Sequence, residues 1–419
     1  MSDADSGPET DGGATVDVTT KEPNVVDRLV EAKDSERFVA VAATVGLFLL
    51  PVFLIDILGV FDTLFGVGLG GFGGLPNLIL AFGVVAVGYN LLLGYTGLLS
   101  FGHAALFGSA AYATGIFSNE VVASPLLAII IGIVVGTLLA WPIGFLSIRR
   151  SGVYFAVLTL TFGQMLYFYA FGPGAWLTNG DDGYTPFAET SASLFGVFDT
   201  KATVSETVRE FVGLTLRLPE GLDMTIGYIL AAVVGIAAIV AAHRIIKSPY
   251  GLILRGIGQN EQRVEFIGLN VFRYKLMAFI LSGVFAGAGG GLYALYKAGL
   301  TVHPNATLYW VVSGDFVIMT AVGGVGSLAG PLIGAIVFEY IALVVQGITI
   351  PIIEAQIGSL WRLLLGLVFV IVVASFPDGI YGGLSSLGDR IVERFGTAGA
   401  GDTDETRPVE DVEETGGGD

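Results

Sequence analysis

The residues that could do chemistry are few. His103, His243 and His303 are the only imidazoles, and they are too scattered for a metal-ligand pattern. There is no cysteine, which removes disulfides, thiolate-bound metals and iron–sulfur clusters from consideration. Asp315 and Glu339 are more informative because both fall within long apolar runs. An ionisable group there is costly and suggests a site for an ion, a proton or a polar substrate. A water-filled vestibule or a hydrogen bond to a neighbouring helix would also account for either acid. Tyr95, Thr96, Ser100 and His103 gather in the glycine-rich stretch GYTGLLSFGHAALFG, 94–108. Such a stretch has the look of an interrupted helix lining a substrate pathway, although a hydrogen-bonded packing role is the simpler expectation for His103. None of the six lysines follows a glycine, so a phosphate-binding GxxxxGK[S/T] loop is absent. No catalytic residue is assigned.

The elements that must position these groups are transmembrane helices. Hydrophobic residues make up 53% of the chain and charged residues 14%, and the apolar residues come in blocks of about twenty, enough to cross a bilayer as helix. The fold class is therefore all-α, a polytopic membrane bundle of about ten helices. The expected spans are 38–56, 76–93, 98–117, 125–147, 153–172, 224–242, 277–296, 308–323, 330–347 and 360–376. Glycine-rich segments near 65–74, 98–110 and 286–291 could be broken or re-entrant.

Basic residues orient the bundle. With the N-terminus inside, Lys21, Arg28, Lys33, Arg37, Arg149, Arg150, Arg244, Lys247, Arg255, Arg263, Arg273, Lys275, Arg390, Arg394 and Arg407 all fall on the cytoplasmic side, fifteen of the twenty Lys and Arg. Lys201, Arg209 and Arg217 lie outside, and Lys297 and Arg362 sit at span ends, where Arg362 would snorkel. Both termini are expected in the cytoplasm, and the protein in the cell membrane. Three parts follow: an acidic tail (1–37), a transmembrane domain (38–385) and a second acidic tail (386–419). The formal charge of −17 comes largely from the tails, which are expected to be disordered. Dispersed acid of this kind suits a high-salt, haloarchaeal cytoplasm better than a docking motif. The acidic N-terminus does not resemble a cleavable signal peptide.

Two connections are long enough to dock a partner, the external loop 173–223 and the cytoplasmic loop 243–275. In the latter, Asn260 reads as an N-cap and Gly268 as a C-terminal stop, bounding about two helical turns. Val264 and Ile267 should share one face, with Gln262 and Glu265 turned away from it. A short capped helix of this sort suits a groove on a soluble partner better than the lipid headgroups. An interfacial helix would need a longer apolar stripe and more Lys and Arg on its polar face. Asn260, Glu261, Arg263, Val264, Glu265, Ile267 and Gly268 are the candidate coupling residues. Gly283, Gly287 and Gly291 recur every four residues, as do Gly326, Gly330 and Gly334. Both stripes are expected to let helices pack closely.

The chain resembles the inner-membrane permeases of branched-chain amino acid ABC importers, specifically the longer of the two paired permeases. The likeness rests on NLLLGYTGLLSFGHAALFG (90–108), GVYFAVLTLTFGQ (152–164), TNGDDG (178–183), NEQRVEFIGLNVFRYK (260–275), GGVGSLAGPLIG (323–334) and FPDGIYG (376–382). It covers roughly residues 38–385. Glu265 and Gly268 match the acidic and glycine positions of the family's coupling segment, whereas Val264 and Phe266 are bulkier than its usual residues. Asp315 stands where the family would have an apolar or small residue.

The resemblance implies a second related permease, two cytoplasmic ATPases holding ATP and Mg, and an external substrate-binding protein. This chain would bind no cofactor itself and would contact membrane lipid but no nucleic acid. The implied cargo is a branched-chain or other hydrophobic amino acid, with urea or short amides as the alternative. An ion-coupled secondary transporter would have to rely on Asp315 and Glu339 alone. A membrane enzyme would need a cluster of histidines and carboxylates that the scattered histidines do not supply.

Overall fold

The structure, a computed structural model, describes residues 36–60, 74–187, 193–194, 198–212, 223–297, 300–347, 349–350, 355–356, 361–375 and 379–383. The acidic tails (all but residues 36–37), most of the 65–74 segment and Phe376 to Asp378 lie outside them. The principal helices are α1 (Glu36–Pro51), α2 (Leu75–Thr96), α3 (His103–Glu120), α4 (Pro125–Ser147), α5 (Val153–Phe171), α6 (Val204–Val212), α7 (Ile226–Lys247), α8 (Pro249–Gln259), α9 (Glu261–Phe266), α10 (Val271–Tyr296), α11 (Trp310–Gly323), α12 (Gly330–Gly347) and α13 (Trp361–Ser375). Two antiparallel pairs of two-residue strands, Ser193–Leu194 with Phe198–Asp199 and Thr349–Ile350 with Ala355–Gln356, are the only sheet among the described residues.

Each expected span corresponds to a helix, but only seven segments among the described residues are long and apolar enough to cross a membrane. They are Val39–Val60, Leu75–Thr96, Pro125–Ser147, Val153–Phe171, Ile226–Lys247, Val271–Tyr296 and Pro304–Gly323. The helices α3, α12 and α13 fall outside this set. For α3 the reason is its position, since most of its residues are buried between neighbouring helices. A helix enclosed by protein needs small residues for contact more than it needs lipid-like side chains.

At the centre is α10, which packs on α2, α3 and α4. Its glycines set the approach distances. A Cβ on Gly287 would lie 2.7 Å from the Cα of Ile133 and 2.8 Å from the Gly132 carbonyl, and one on Gly291 would lie 3.0 Å from the Cα of Ile129. Gly283 meets Ala140 and Gly136 in the same way. Small residues of α4 (Gly132, Gly136, Ala140) thus face the α10 stripe, and the helices meet backbone to backbone. Gly287→Ala is expected to destabilise the bundle by about 1–3 kcal/mol, because the backbone of α4 must retreat. Thermal unfolding in detergent would measure this.

The second stripe is different in kind. Gly330 opens α12, and Gly334 abuts the Met319 carbonyl of α11. Gly326 belongs to no helix: it sits in the α11–α12 turn with φ of +80°, where glycine is favoured. A four-residue repeat places residues on one face only while the chain stays helical.

Both expected loops contain regular structure. The 243–275 segment is almost entirely helical, because α7 runs on to Lys247, α8 and α9 fill the middle and α10 begins at Val271. Ser248, Asn260 and Asn270 cap the three successive helices, accepting from the N–H groups of Gly251 (3.3 Å), Arg263 (3.1 Å) and Arg273 (3.2 Å). The 173–223 segment holds a one-turn helix (Ala175–Thr178), the first strand pair and α6.

Candidate functional site

Polar and exposed functional groups gather in three places, the first a buried polar centre. After α2 ends, residues 97–102 are not helical, and the chain turns back to the level of Tyr89. Tyr89 is seven residues before the end of α2, so the backbone re-enters by about 10 Å. Unwound backbone at that depth needs partners, and side chains supply them. The Ser100 N–H donates to the Tyr89 hydroxyl (3.1 Å), which donates to the Ser100 carbonyl (2.9 Å). The Phe101 N–H donates to Thr159 Oγ1 (3.2 Å), and the Ala104 N–H to Ser313 Oγ (2.8 Å). His103 contacts Ser100 Oγ through Nδ1 (3.0 Å) and Ser282 Oγ through Nε2 (2.7 Å). Its ring lies between Tyr89 and Phe279, with centroids at 4.7 and 5.4 Å. Ser100, His103 and Ser282 are fully buried.

The candidate pathway group therefore divides. Ser100 and His103 form a closed knot joining α2, α3 and α10. The Thr96 hydroxyl donates to the Leu92 carbonyl (2.5 Å), within its own helix. Tyr95 donates to the Gly326 carbonyl (2.7 Å). Asp315 stands apart from them on α11, which packs against α12, the helix of Glu339, and against α13, the helix of Arg362. Glu339 is 8% exposed. The sequence placed Arg362 at a span end but gave no sign that its helix packs against that of Asp315.

The α8–α9 hairpin is the second place. Val264 is buried against Ile257 and Val271, a burial that contributes about 1.5–3 kcal/mol. Ile267 is 75% exposed and Phe266 89% exposed. Val264 and Ile267 line the same groove but differ in burial: α9 ends at Phe266 and the chain turns at Gly268 (φ +85°), so Ile267 lacks the cover that Val264 receives. Gln262, Arg263 and Glu265 are exposed. A groove of about 390 Å³ is lined by Gly256, Gln259, Asn260, Arg263, Val264 and Ile267.

Glu261 faces inward as well as outward, pairing with Lys275 at 2.6 Å. The lysine side chain is only 6% exposed, so this pair braces α9 against α10. Glu261→Gln would leave a buried ammonium without its counter-charge, an effect expected to loosen α9 by about 1–2 kcal/mol after allowing for the half-exposed carboxylate. Faster amide hydrogen exchange across 261–268 would report it. The sequence signal for the brace was weak, since the partners are fourteen residues apart across a turn. Ser248–Pro249 was a readable helix start, as was Asn270.

The third place is the opposite end of the bundle. Asn179 adopts φ of +63°, and its amide donates to the Gly183 carbonyl (3.0 Å). Tyr184 and Val302 exchange backbone hydrogen bonds of 3.0 and 2.8 Å, and the Tyr112 hydroxyl donates to the Val302 carbonyl (3.0 Å). The TNGDDG turn is therefore fixed to the bundle, with Asp181 and Asp182 exposed at its tip.

Known proteins show similarity over much of this architecture. The high-affinity branched-chain amino acid transport system permease protein LivM of Salmonella typhimurium is 22% identical over 265 residues, 62% of this chain and 60% of that protein. LivM of Escherichia coli is 23% identical over the same shares. The nucleoside ABC transporter permease protein NupC of Lactococcus lactis is 31% identical over 140 residues, 33% of this chain and 42% of that protein. The match to the LivM proteins spans about 60% of their length. Residues 74–373 match the family described as branched-chain amino acid transport system / permease component, and the chain belongs to that family.

Proposed function

We propose that this chain is the membrane-conducting subunit of an ABC importer, carrying branched-chain or other hydrophobic amino acids into the cell with ATP hydrolysed by separate subunits. The observation that carries the reading is the α8–α9 hairpin. Its short capped helix is fixed underneath by Val264 and Lys275, yet shows Phe266 and Ile267 to solvent beside a groove. Exposed apolar side chains on a rigid base are what an interface with a soluble partner requires. Arg244, Lys247, Arg255, Arg263 and Arg273 cluster around it, which supports a cytoplasmic position. The absence of a GxxxxGK[S/T] loop supports placing ATP and Mg on partner ATPases.

On this reading a second permease completes the pathway, and the fixed 178–184 turn receives an external binding protein. The LivM similarity supports amino acids as cargo. The NupC similarity makes nucleosides the competing cargo. The test is to co-express the chain with the ATPases and permease encoded beside it and purify through a tag on this chain. Co-purification of the ATPases, and its loss with Glu265→Ala combined with Gly268→Ala, is the expected result. Solute uptake by the purified chain alone, driven by an ion gradient, would overturn the reading. Competition between labelled leucine and unlabelled nucleosides in vesicles decides the cargo.

A further inference from the structure

A continuous set of contacts leads from the docking hairpin to the turn between α11 and α12. Arg255, on α8, holds its guanidinium over the ring of Tyr95, 5.3 Å from the centroid. Tyr95 is 5% exposed, and its hydroxyl donates to the Gly326 carbonyl (2.7 Å). Asn90, 2% exposed, lies on the same helix and clamps the same turn from both sides. Its Nδ2 donates to the Ser327 carbonyl (2.7 Å), and its Oδ1 accepts from the Gly326 N–H (2.8 Å). The backbones are equally close: a Cβ on Gly258 would lie 2.7 Å from the Tyr95 carbonyl, and one on Gly94 would lie 2.6 Å from the Gly326 nitrogen. Ser327 Oγ then accepts from the Gly330 N–H (3.1 Å) at the start of α12, the helix that carries Glu339.

We infer that Arg255, Tyr95 and Asn90 form a latch that passes movement of the α8–α9 hairpin to the α11–α12 turn. This inference rests on the ATPase-docking reading above. The residue types suit the task. A guanidinium held over an aromatic face is attracted to it and keeps its planar orientation. The Asn90 amide holds an N–H and a carbonyl of one turn at once, so the turn moves as a piece with the end of α2. The helices α11 and α12 pack against each other and carry Asp315 and Glu339, so displacement of their shared turn moves the helices that hold the intramembrane acids. Arg255, Tyr95 and Asn90 are positioning residues and need not touch substrate.

The chain lacks cysteine, so spin labels can be placed at Leu252→Cys and Val325→Cys, both at exposed positions. In the complex with ATPases, pulsed electron resonance is expected to give one narrow label distance, unchanged on ATP binding. With Arg255→Gln the narrow distance should be lost, and labelled leucine moved per ATP hydrolysed should fall about tenfold. Arg255→Lys, which keeps a cation over the ring, should restore both. An unchanged narrow distance with Arg255→Gln overturns the latch. Should that variant fail to accumulate, Tyr95→Phe removes only the hydroxyl bonded to Gly326 and is judged by the same two outcomes. Failure of the ATPases to co-purify with the unaltered chain would count against the docking reading instead. The label distances in the isolated chain would still decide for or against the latch.

Discussion

Phe266→Asp is expected to detach the ATPases while leaving the permease folded. The ring is 89% exposed on a helix whose other side is fixed, so nothing in the isolated chain depends on it. In a complex it is the largest apolar side chain the hairpin can offer. Truncating an aromatic anchor of this kind typically costs about 2–4 kcal/mol of binding, which corresponds to roughly 30- to 1,000-fold in affinity. A buried aspartate adds an uncompensated charge to that loss. Phe266→Leu should fall between, since it keeps part of the apolar area. Two measurements check this, the ATPase content of the purified complex and the unfolding temperature of the permease alone. Full ATPase content with Phe266→Asp would mean that docking lies elsewhere on the surface. A lowered unfolding temperature would mean that the ring supports the fold.

The second large effect is expected at His103. His103→Leu conserves approximate volume but removes both imidazole nitrogens from a site with no access to water. The Ser100 and Ser282 hydroxyls then lose their shared partner. An orphaned buried polar group costs about 1–3 kcal/mol, although Ser282, within α10, can turn to a backbone carbonyl and Ser100 Oγ still accepts from the Gly102 N–H (3.3 Å). The expected net loss is about 3 kcal/mol, seen as a lower unfolding midpoint in detergent. Ser282→Ala should cost less, about 0.6–1.7 kcal/mol, the range of interhelical hydrogen bonds in membrane bundles. A cycle combining the two substitutions should show strong coupling, because each removes the same bond. Normal stability accompanied by lost transport would reverse the assignment, making His103 a pathway residue rather than a structural knot.

The local features of this protein were legible in its sequence. Runs of about twenty apolar residues establish helices whatever surrounds them, because backbone in lipid must satisfy its own hydrogen bonds. Asn260 and Gly268 bound a short helix by chemistry confined to a few residues: a side-chain oxygen reaching the Arg263 N–H, and a backbone at positive φ. The spacing of Gly283, Gly287 and Gly291 states that one face of α10 is narrow.

Only the tertiary structure decided what met these features. Over the six residues of α9, periodicity cannot say how deeply each residue is covered: Val264 and Ile267 line one groove, yet one is buried and the other exposed. The chain could not reveal that α3 is enclosed, that the helix of Asp315 packs against that of Arg362, or that Tyr95 reaches Gly326 across 231 positions. These facts depend on how whole helices are placed. The physical reason is range: caps, turns and apolar runs act over a few residues, whereas a site between helices is fixed by packing that no single segment encodes.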